Sequence, residues 1–469
     1  MVDTSVRLAP RHLEQLRRTF RGDIVTPDDP TYDDARRLWN AMHDRRPALL
    51  LRPTSADEVA TAIRFGREHD LEIAIRSGGH SHTGIGGRDG GLVVDMTAMR
   101  GVEVSPTSRT ARANGGALLG ELDVAAQEHG LVCPIGVIGH TGVAGLTLGG
   151  GIGRLQRNFG LTIDNLAALE VVTAEGRLVR ATESDEPELF WGLRGAGWNY
   201  GIATAFEFRL QPFGPDLHRG VLTFPAAQVQ DVWDVFRAYA SEAPDTVAAI
   251  FGIALAGEDE GYPDEVVGRP IAYLAWNHSG AAADADRDTA GLRVGPKPLT
   301  EAIGSKPYLE VQTAHDLAFA WGTRSFIKGH NANDVRREAL DELVEIVAEA
   351  PGDSSVSITA LGGAISRMPE EATAFAGRDA AFDLSADSSW TDAKLDEANI
   401  DWCRRAMAVL EPDRTLGAYS NGNSDSGPAE MRAIYGESKV ARLAALKRTW
   451  DPDNVFHVNH NIEPAPPEG

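Results

Sequence analysis

Hydrophobic positions in this chain fall into short blocks separated by polar or glycine-rich breaks. Residues 11–21 and 33–45 space their apolar positions as helices do and carry mixed charge between them. At Leu49-Leu50-Leu51 the pattern changes to a short apolar run that reads as a strand. Ser55 then stands where a helix N-cap belongs, with Glu58 three residues on, and the pair predicts a helix over 56–69 opened by a capping box. Ile73–Arg76 and Leu92–Asp95 read as strands. So do 169–173 and 178–181, around the turn Glu175-Gly176, and 203–210 alternates as a strand before Pro212 and Gly214. Beyond that break, strands are expected over 250–255, 271–276 and 356–360, and helices over 335–350 and 393–410. A last helix is expected over 439–449, then an Asp-Pro turn, an asparagine-rich stretch and a proline-rich, disordered tail at 464–469. Helix and strand alternate, so the class is mixed α and β. No repeat of fixed period is present.

At 469 residues the chain is too long for one ordinary core. The break near Gly214 divides it into residues 1–213, completed by 416–469, and a second domain over 214–415. Hydrophobic residues make up 42% and charged residues 24%, which rules out a disordered chain or a coiled coil. Lys plus Arg number 45 and Asp plus Glu 68, so the net charge is −23. A surface that acidic repels phosphate backbones and anionic lipid, which argues against nucleic-acid and membrane partners. The cysteine count of 2, Cys133 and Cys403, excludes a disulfide framework and a cysteine-based zinc site. No His, Cys or Asp spacing matches a metal site, so none is expected. The charged stretch Met1–Arg21 has no apolar core and no run approaches the ~18–20 apolar residues of a membrane span, so the expected location is cytoplasmic.

Chemistry concentrates in three glycine loops. The first is Arg76-Ser77-Gly78-Gly79-His80-Ser81, with Gly84, Gly86 and Gly87 close behind. Paired glycines after a strand let backbone N–H groups close around an anion, and a Cβ would block that approach. Neither a Walker A sequence nor a GxGxxG fingerprint is present. The second loop is 139–153, with Gly139, Gly142, Gly145, Gly149, Gly150, Gly151 and Gly153. Such a segment forms neither an efficient helix nor a strand, and it makes sense if its amides pack on a pyrophosphate and a flat ring. The third is Arg194-Gly195-Ala196-Gly197-Trp198-Asn199-Tyr200-Gly201-Ile202, again glycine before a strand.

In this order and spacing the loops resemble the FAD-binding half of the vanillyl-alcohol-oxidase superfamily, and more narrowly the berberine-bridge-enzyme-like oxidases. Further matches are Arg52-Pro53, Gly160-Leu161-Thr162-Ile163-Asp164-Asn165, Pro187-Glu188-Leu189-Phe190-Trp191-Gly192 and the ending Asp451-Pro452-Asp453-Asn454-Val455-Phe456 to Asn459-His460-Asn461-Ile462. The resemblance covers nearly the whole chain. It implies an α+β fold, a PCMH-type FAD-binding domain of two subdomains plus a substrate domain whose antiparallel sheet is covered by helices. The active site would lie between them. The resemblance assigns FAD to a cradle of Arg76 to Ser81, Gly84, the glycines of 139–153, Asp164, Asn165, Gly201, Ile202, Asn459 and Asn461.

His80 matches the family position that bonds covalently to the flavin 8α carbon, as a neutral imidazole can. Some relatives add a cysteine link, but its position falls near Gly136 and not at Cys133. A single link is therefore expected, with Cys133 and Cys403 as packing thiols. Thr141 stands where the family meets dioxygen at the flavin edge. Asn459 has an amide for a flavin carbonyl or a substrate. Tyr419, in Tyr419-Ser420-Asn421, matches a Tyr-x-Asn element of the last substrate-domain strand that supplies the proton acceptor in several relatives. Gly422 replaces an aromatic residue that some sugar oxidases carry there. Lys328, His330 or His140 would help Tyr419 ionise, although His330 reads as an exposed loop residue. These assignments imply an oxidase that takes a hydride from a CH–OH or CH–NH group of a small alcohol, sugar, alkaloid-like or polyketide-like molecule and reduces O2 to hydrogen peroxide. A dehydrogenase or an oxygenating enzyme of the same fold, and a non-catalytic flavin-binding protein, are the alternatives. The sequence leaves the oligomeric state open.

Overall fold

A computed structural model describes residues 8–258 and 261–467, so the first seven residues and the end of the proline-rich tail lie outside the described residues. The first sheet forms around Leu49–Arg52, whose Leu49, Leu50 and Leu51 are all buried, as a strand covered on both faces requires. Leu92–Asp95 and Ile73–Arg76 extend the sheet in parallel, and Asp23–Val25 closes its other edge antiparallel. The covering helix is Ala56–Glu68, capped by the Ser55 hydroxyl, which accepts from the Glu58 N–H at 3.3 Å. Half of the expected capping box is replaced. The Glu58 carboxylate accepts from the Thr54 N–H and hydroxyl, both at 2.8 Å, and from the Gly22 N–H at 3.1 Å, tying the amino-terminal chain to the helix start.

The second sheet is antiparallel, in the order Val102–Ser105, Thr110–Asn114, Ile202–Arg209, Leu166–Val172 and Leu178–Ala181. Against it lie the helices Leu119–Gln127 and Pro187–Ala196 and the long carboxy-terminal element Pro428–Trp450. That element starts well before residue 439 and is broken at Gly436, where φ is 75°. Lys447, fully buried, donates to the carbonyls of Asn199 at 2.9 Å and Phe456 at 2.7 Å and pairs with Asp451 at 2.9 Å, so the chain end is anchored to the loop that precedes a central strand.

The third sheet has seven antiparallel strands, in the order Thr300–Pro307, Asp216–Pro225, Pro270–His278, Val247–Leu255, Asp353–Ala360, Phe382–Trp390 and Arg324–Ala332. Phe251, Trp276, Ile358 and Leu384 point from one face into a core shared with the helices Val229–Glu242, Arg337–Ala348 and Asp396–Leu410. Alternation leaves Ser355, Ser357, Asp383, Ser385 and Asp387 on the other face.

The structure corrects several sequence expectations. Only Tyr32–Ala35 is helical within 33–45. The rest runs as an irregular strap, because Trp39 donates its backbone N–H to Gly79 at 3.1 Å and Ala41 to Thr323 at 2.9 Å. Within 139–153 the residues Val143–Leu148 do form a helix, entered through Gly142 and ended at Gly149. His330 lies on Arg324–Ala332 and not in a loop. It is buried, its Nε2 is 3.2 Å from the Leu410 carbonyl, and burial lowers its pKa to about 4. Tyr419 lies just before the short turn Ser420–Gly422 and outside any strand.

Candidate active site

A cavity of about 310 Å³ opens between the first sheet and the second, with Tyr419 and Asn421 on its wall. Its walls are residues 75–82, residues 136–138, 141–142, 144–146 and Leu148, Trp198, residues 201–203, Tyr419, Asn421 and His460. Arg76, Ser77, Gly78, Gly79, His80, Ser81, Thr141, Gly142, Gly145, Gly201, Ile202 and Tyr419 therefore all reach it. The first two glycine loops touch backbone to backbone. A Cβ on Gly78 would lie 2.2 Å from the Gly142 nitrogen, and one on Gly142 would lie 2.3 Å from the Gly78 nitrogen. The Ser77 hydroxyl fixes the first loop by donating to Gly115 at 2.8 Å. Changing Gly78 to alanine is expected to wedge the loops apart and weaken flavin retention at least about tenfold, read as flavin absorbance per chain, since a contact that short has no room to relax.

The remaining glycines of 139–153 serve a different purpose from the expected one. A Cβ on Gly149 would meet the Asn421 amide at 2.6 Å, one on Gly150 would meet Phe375 at 2.8 Å, one on Gly151 the Thr162 hydroxyl at 2.1 Å, and one on Gly153 the Ile135 carbonyl at 1.8 Å. They pack the loop against the protein and do not line the cavity, nor does Gly84, which faces the His43 ring, or Gly139, which faces Asp316. Gly145 alone among the loop's glycines has nothing within 4 Å of its Cβ position, as a residue under a ligand would.

Three other expected ligand residues are also held elsewhere. Asp164 pairs with Arg378 at 2.7 Å. Asn165 donates to the carbonyls of Phe159 at 2.8 Å and Leu161 at 3.1 Å. Asn459 donates to Trp198 and Phe456, both at 2.9 Å, and neither Asn459 nor Asn461 lines the cavity. The Asn-His-Asn ending instead turns His460 inward. Arg76 touches the cavity, but its two terminal guanidinium nitrogens are spent on Asp95 and on the carbonyls of Ala35 and Arg37.

Three lining residues, Arg76, Trp198 and His460, carry buried nitrogens, Nε, Nε1 and Nδ1, with no hydrogen-bond partner. Buried polar atoms of this kind are rare without a ligand or water to satisfy them. Together with the open space over Gly145 and the backbone wall of the first loop, they fit a polar, partly flat group of the flavin dinucleotide type.

At the His80 end, burial and two neighbouring histidines hold His80 neutral by lowering its pKa to about 2. The Trp39 ring stacks on it, centroids 4.5 Å apart at 18°, and the Trp39 indole N–H donates to Phe319 at 2.6 Å. The buried Asn40 amide binds the carbonyls of His82 at 2.9 Å and Ser325 at 2.8 Å. Sequence reasoning missed both residues, because a helical reading of 33–45 assigns them no special place. Cys133 is buried beside Asp123, and desolvation raises its pKa well above that of a free thiol. Lys328 is bound to Asp425 at 2.6 Å, away from Tyr419.

At the other end, the Tyr419 oxygen accepts from the Asn421 amide at 3.1 Å and the Ile152 N–H at 3.4 Å. Burial raises its pKa, and the nearby Asp383 raises it further. Asp383 is a neighbour of Tyr419 that the sequence did not reveal. It pairs across the sheet with Asn331 and Thr359, and burial pushes its pKa up to about 7. The same face carries Asp387, at about 6, within 3.0 Å of the Ser355 hydroxyl.

A cavity walled by glycine loops, with neutral His80 and the buried Tyr419 on its wall, defines a flavin-dependent oxidoreductase. Residues 47–182 match the FAD binding domain family, and residues 418–463 match the family described as berberine and berberine like. The (R)-6-hydroxynicotine oxidase of Paenarthrobacter nicotinovorans is 30% identical over 459 residues, 95% of this chain and 97% of that one. An uncharacterized FAD-linked oxidoreductase of Bacillus subtilis strain 168 is also 30% identical, over 94% of this chain and 97% of its own. The crystal structure of 6-hydroxy-D-nicotine oxidase from Arthrobacter nicotinovorans superposes with a TM-score of 0.84 at 27% identity, covering 98% of this chain and 100% of that one. The chain belongs to the berberine-bridge-enzyme-like FAD-linked oxidoreductases and performs FAD-dependent oxidation of a small molecule.

Proposed function

We propose that the enzyme is an oxidase of a small CH–NH or CH–OH substrate, with FAD attached to His80 and dioxygen as the electron acceptor. FAD, when bound, supplies the two-electron acceptor for the substrate's hydride. Asp383 in its ionised form takes the N–H or O–H proton, because a carboxyl held near pH 7 is matched to that transfer. Tyr419 keeps its proton. With its oxygen already accepting from Asn421 and Ile152, its O–H is directed to the substrate's heteroatom and orients it. Thr141, small and on the cavity wall, leaves room for dioxygen.

The observation that carries this reading is the placement of neutral His80 and of Tyr419 on the wall of one cavity. Asp383 and Asp387 favour an amine over a neutral sugar, since a cationic substrate is drawn to partly ionised carboxyls. The (R)-6-hydroxynicotine oxidase has an amine in its name. A xylooligosaccharide oxidase from Myceliophthora thermophila C1, at a TM-score of 0.83 and 22% identity, shares the fold.

The test is acid precipitation followed by anaerobic titration with secondary amines and with alcohols. Flavin retained in the precipitate, bleached by an amine and recovered with peroxide on admitting air, is the expected result. Flavin released to the supernatant removes the covalent link, and flavin that no donor bleaches removes the oxidase reading.

A further inference from the structure

His80 and His140 face each other with Nε2 and Nδ1 2.6 Å apart. Between two imidazoles the direction of the hydrogen bond is set by a third partner. Here that partner is the backbone carbonyl of Asp316, 3.3 Å from His140 Nε2. A carbonyl oxygen only accepts, so neutral His140 carries its proton on Nε2 and presents a lone pair at Nδ1. His80 must then donate its Nε2–H. Its other nitrogen, Nδ1, carries the lone pair, and the ring's hydrogen bond among the described residues is made through Nε2. The arrangement is held from the substrate domain, because the Asp316 carboxylate also accepts from the Gly139 N–H at 2.7 Å, next to His140.

We propose that His140, oriented by the Asp316 carbonyl, is a positioning residue that fixes His80 in the Nε2–H form and so makes Nδ1 the nitrogen that bonds to flavin C8α. This rests on the covalent reading above. In the attachment C8α loses one hydrogen as a proton and the C8α–Nδ1 bond forms. The two electrons of the broken C–H bond stay on the flavin until dioxygen takes them, with two protons, as hydrogen peroxide. The alkylated imidazole gains a positive charge, and its Nε2–H shares that charge with the His140 lone pair, which stabilises the product.

The test follows attachment in time. Full-length protein made under riboflavin limitation is mixed with FAD, quenched in acid at intervals, and its precipitated flavin is measured against total bound flavin. Wild type is expected to attach nearly all of it. His140→Leu, which removes the acceptor, is expected to bind FAD but attach it at least tenfold more slowly. His140→Asn, whose amide oxygen replaces Nδ1, is expected to recover to within about threefold of wild type. A His140→Leu protein that attaches flavin at the wild-type rate overturns the proposal, as does an Asn variant as slow as the Leu variant. Should the Leu variant not fold, His140→Ala removes the same nitrogen and is read in the same way. Wild type that attaches no flavin removes the underlying covalent reading instead, before any variant is compared.

Discussion

Asp383→Asn is expected to lower the rate of flavin reduction by about 10²–10⁴-fold, the usual worth of a positioned base, while flavin content stays at the wild-type level. The wild-type rate is expected to climb about tenfold per pH unit below pH 7 and to level off above it, because only the ionised carboxyl accepts a proton and burial holds it near 7. In the variant that limb disappears. Stability moves the opposite way. The folded state keeps the Asp383 proton up to about 7, whereas an unfolded aspartate loses it near 3.8. Between those values the folded state binds more protons, so the contribution of Asp383 to stability falls as pH rises through that window. The amide has no such penalty. Asp383→Asn is therefore expected to melt higher than wild type at pH 8, by a margin that shrinks through pH 5 and closes near pH 4. Stopped-flow reduction and thermal melts across pH check both halves, and reduction at the wild-type rate would exclude Asp383 as the base.

Asp383 was legible in principle. Phe382-Asp383-Leu384-Ser385-Ala386-Asp387 alternates apolar and polar with a period of two, the mark of a strand with one face in a core. What the pattern does not carry is what covers the polar face. That depends on how this strand meets a turn 36 positions later, at Tyr419. The three glycine loops were legible because backbone contact demands glycine whatever surrounds it, and Gly78 and Gly142 meet that demand directly. The purpose of each glycine was not. Gly149 to Gly153 needed the positions of Asn421, Phe375, Thr162 and Ile135, all outside the loop, to show that they pack protein on protein.

His330 shows the same limit from the other side. Gly329 and Asn331 on either side suggest a loop, yet both stand in register opposite Ser385 and Asp383 in the sheet. Ser55 succeeded because a cap and its helix lie within four residues of each other, so the local sequence contains the whole interaction. Trp39 and Asn40 failed because their partners, Phe319 and Ser325, lie about 280 residues away along the chain.

Asp164 is where the family resemblance and the geometry part, and its replacement separates them. Its carboxylate accepts from Arg378 at 2.7 and 3.1 Å and from the Leu161 N–H at 2.9 Å. The side chains are 6% and 1% exposed, so this ion pair is desolvated. Arg378 also donates to the Thr373 hydroxyl at 2.9 Å, which holds the guanidinium within the substrate domain, so that its pairing with Asp164 fastens the cofactor half to that domain. Removing one member of a buried pair strands the other charge, and Asp164→Ala is expected to cost about 3–5 kcal/mol of stability. The double replacement Asp164→Leu with Arg378→Leu takes away both charges and is expected to recover most of that loss, although each substitution alone is severe. Folded Asp164→Ala protein is expected to bind flavin at the wild-type stoichiometry and to reduce it at the wild-type rate, since the carboxylate does not line the cavity. Denaturant unfolding of the four proteins in the cycle gives the coupling energy. A variant that keeps its stability and loses its flavin would restore the cofactor role, because only a direct contact with the dinucleotide would make the carboxylate matter for binding and not for the fold.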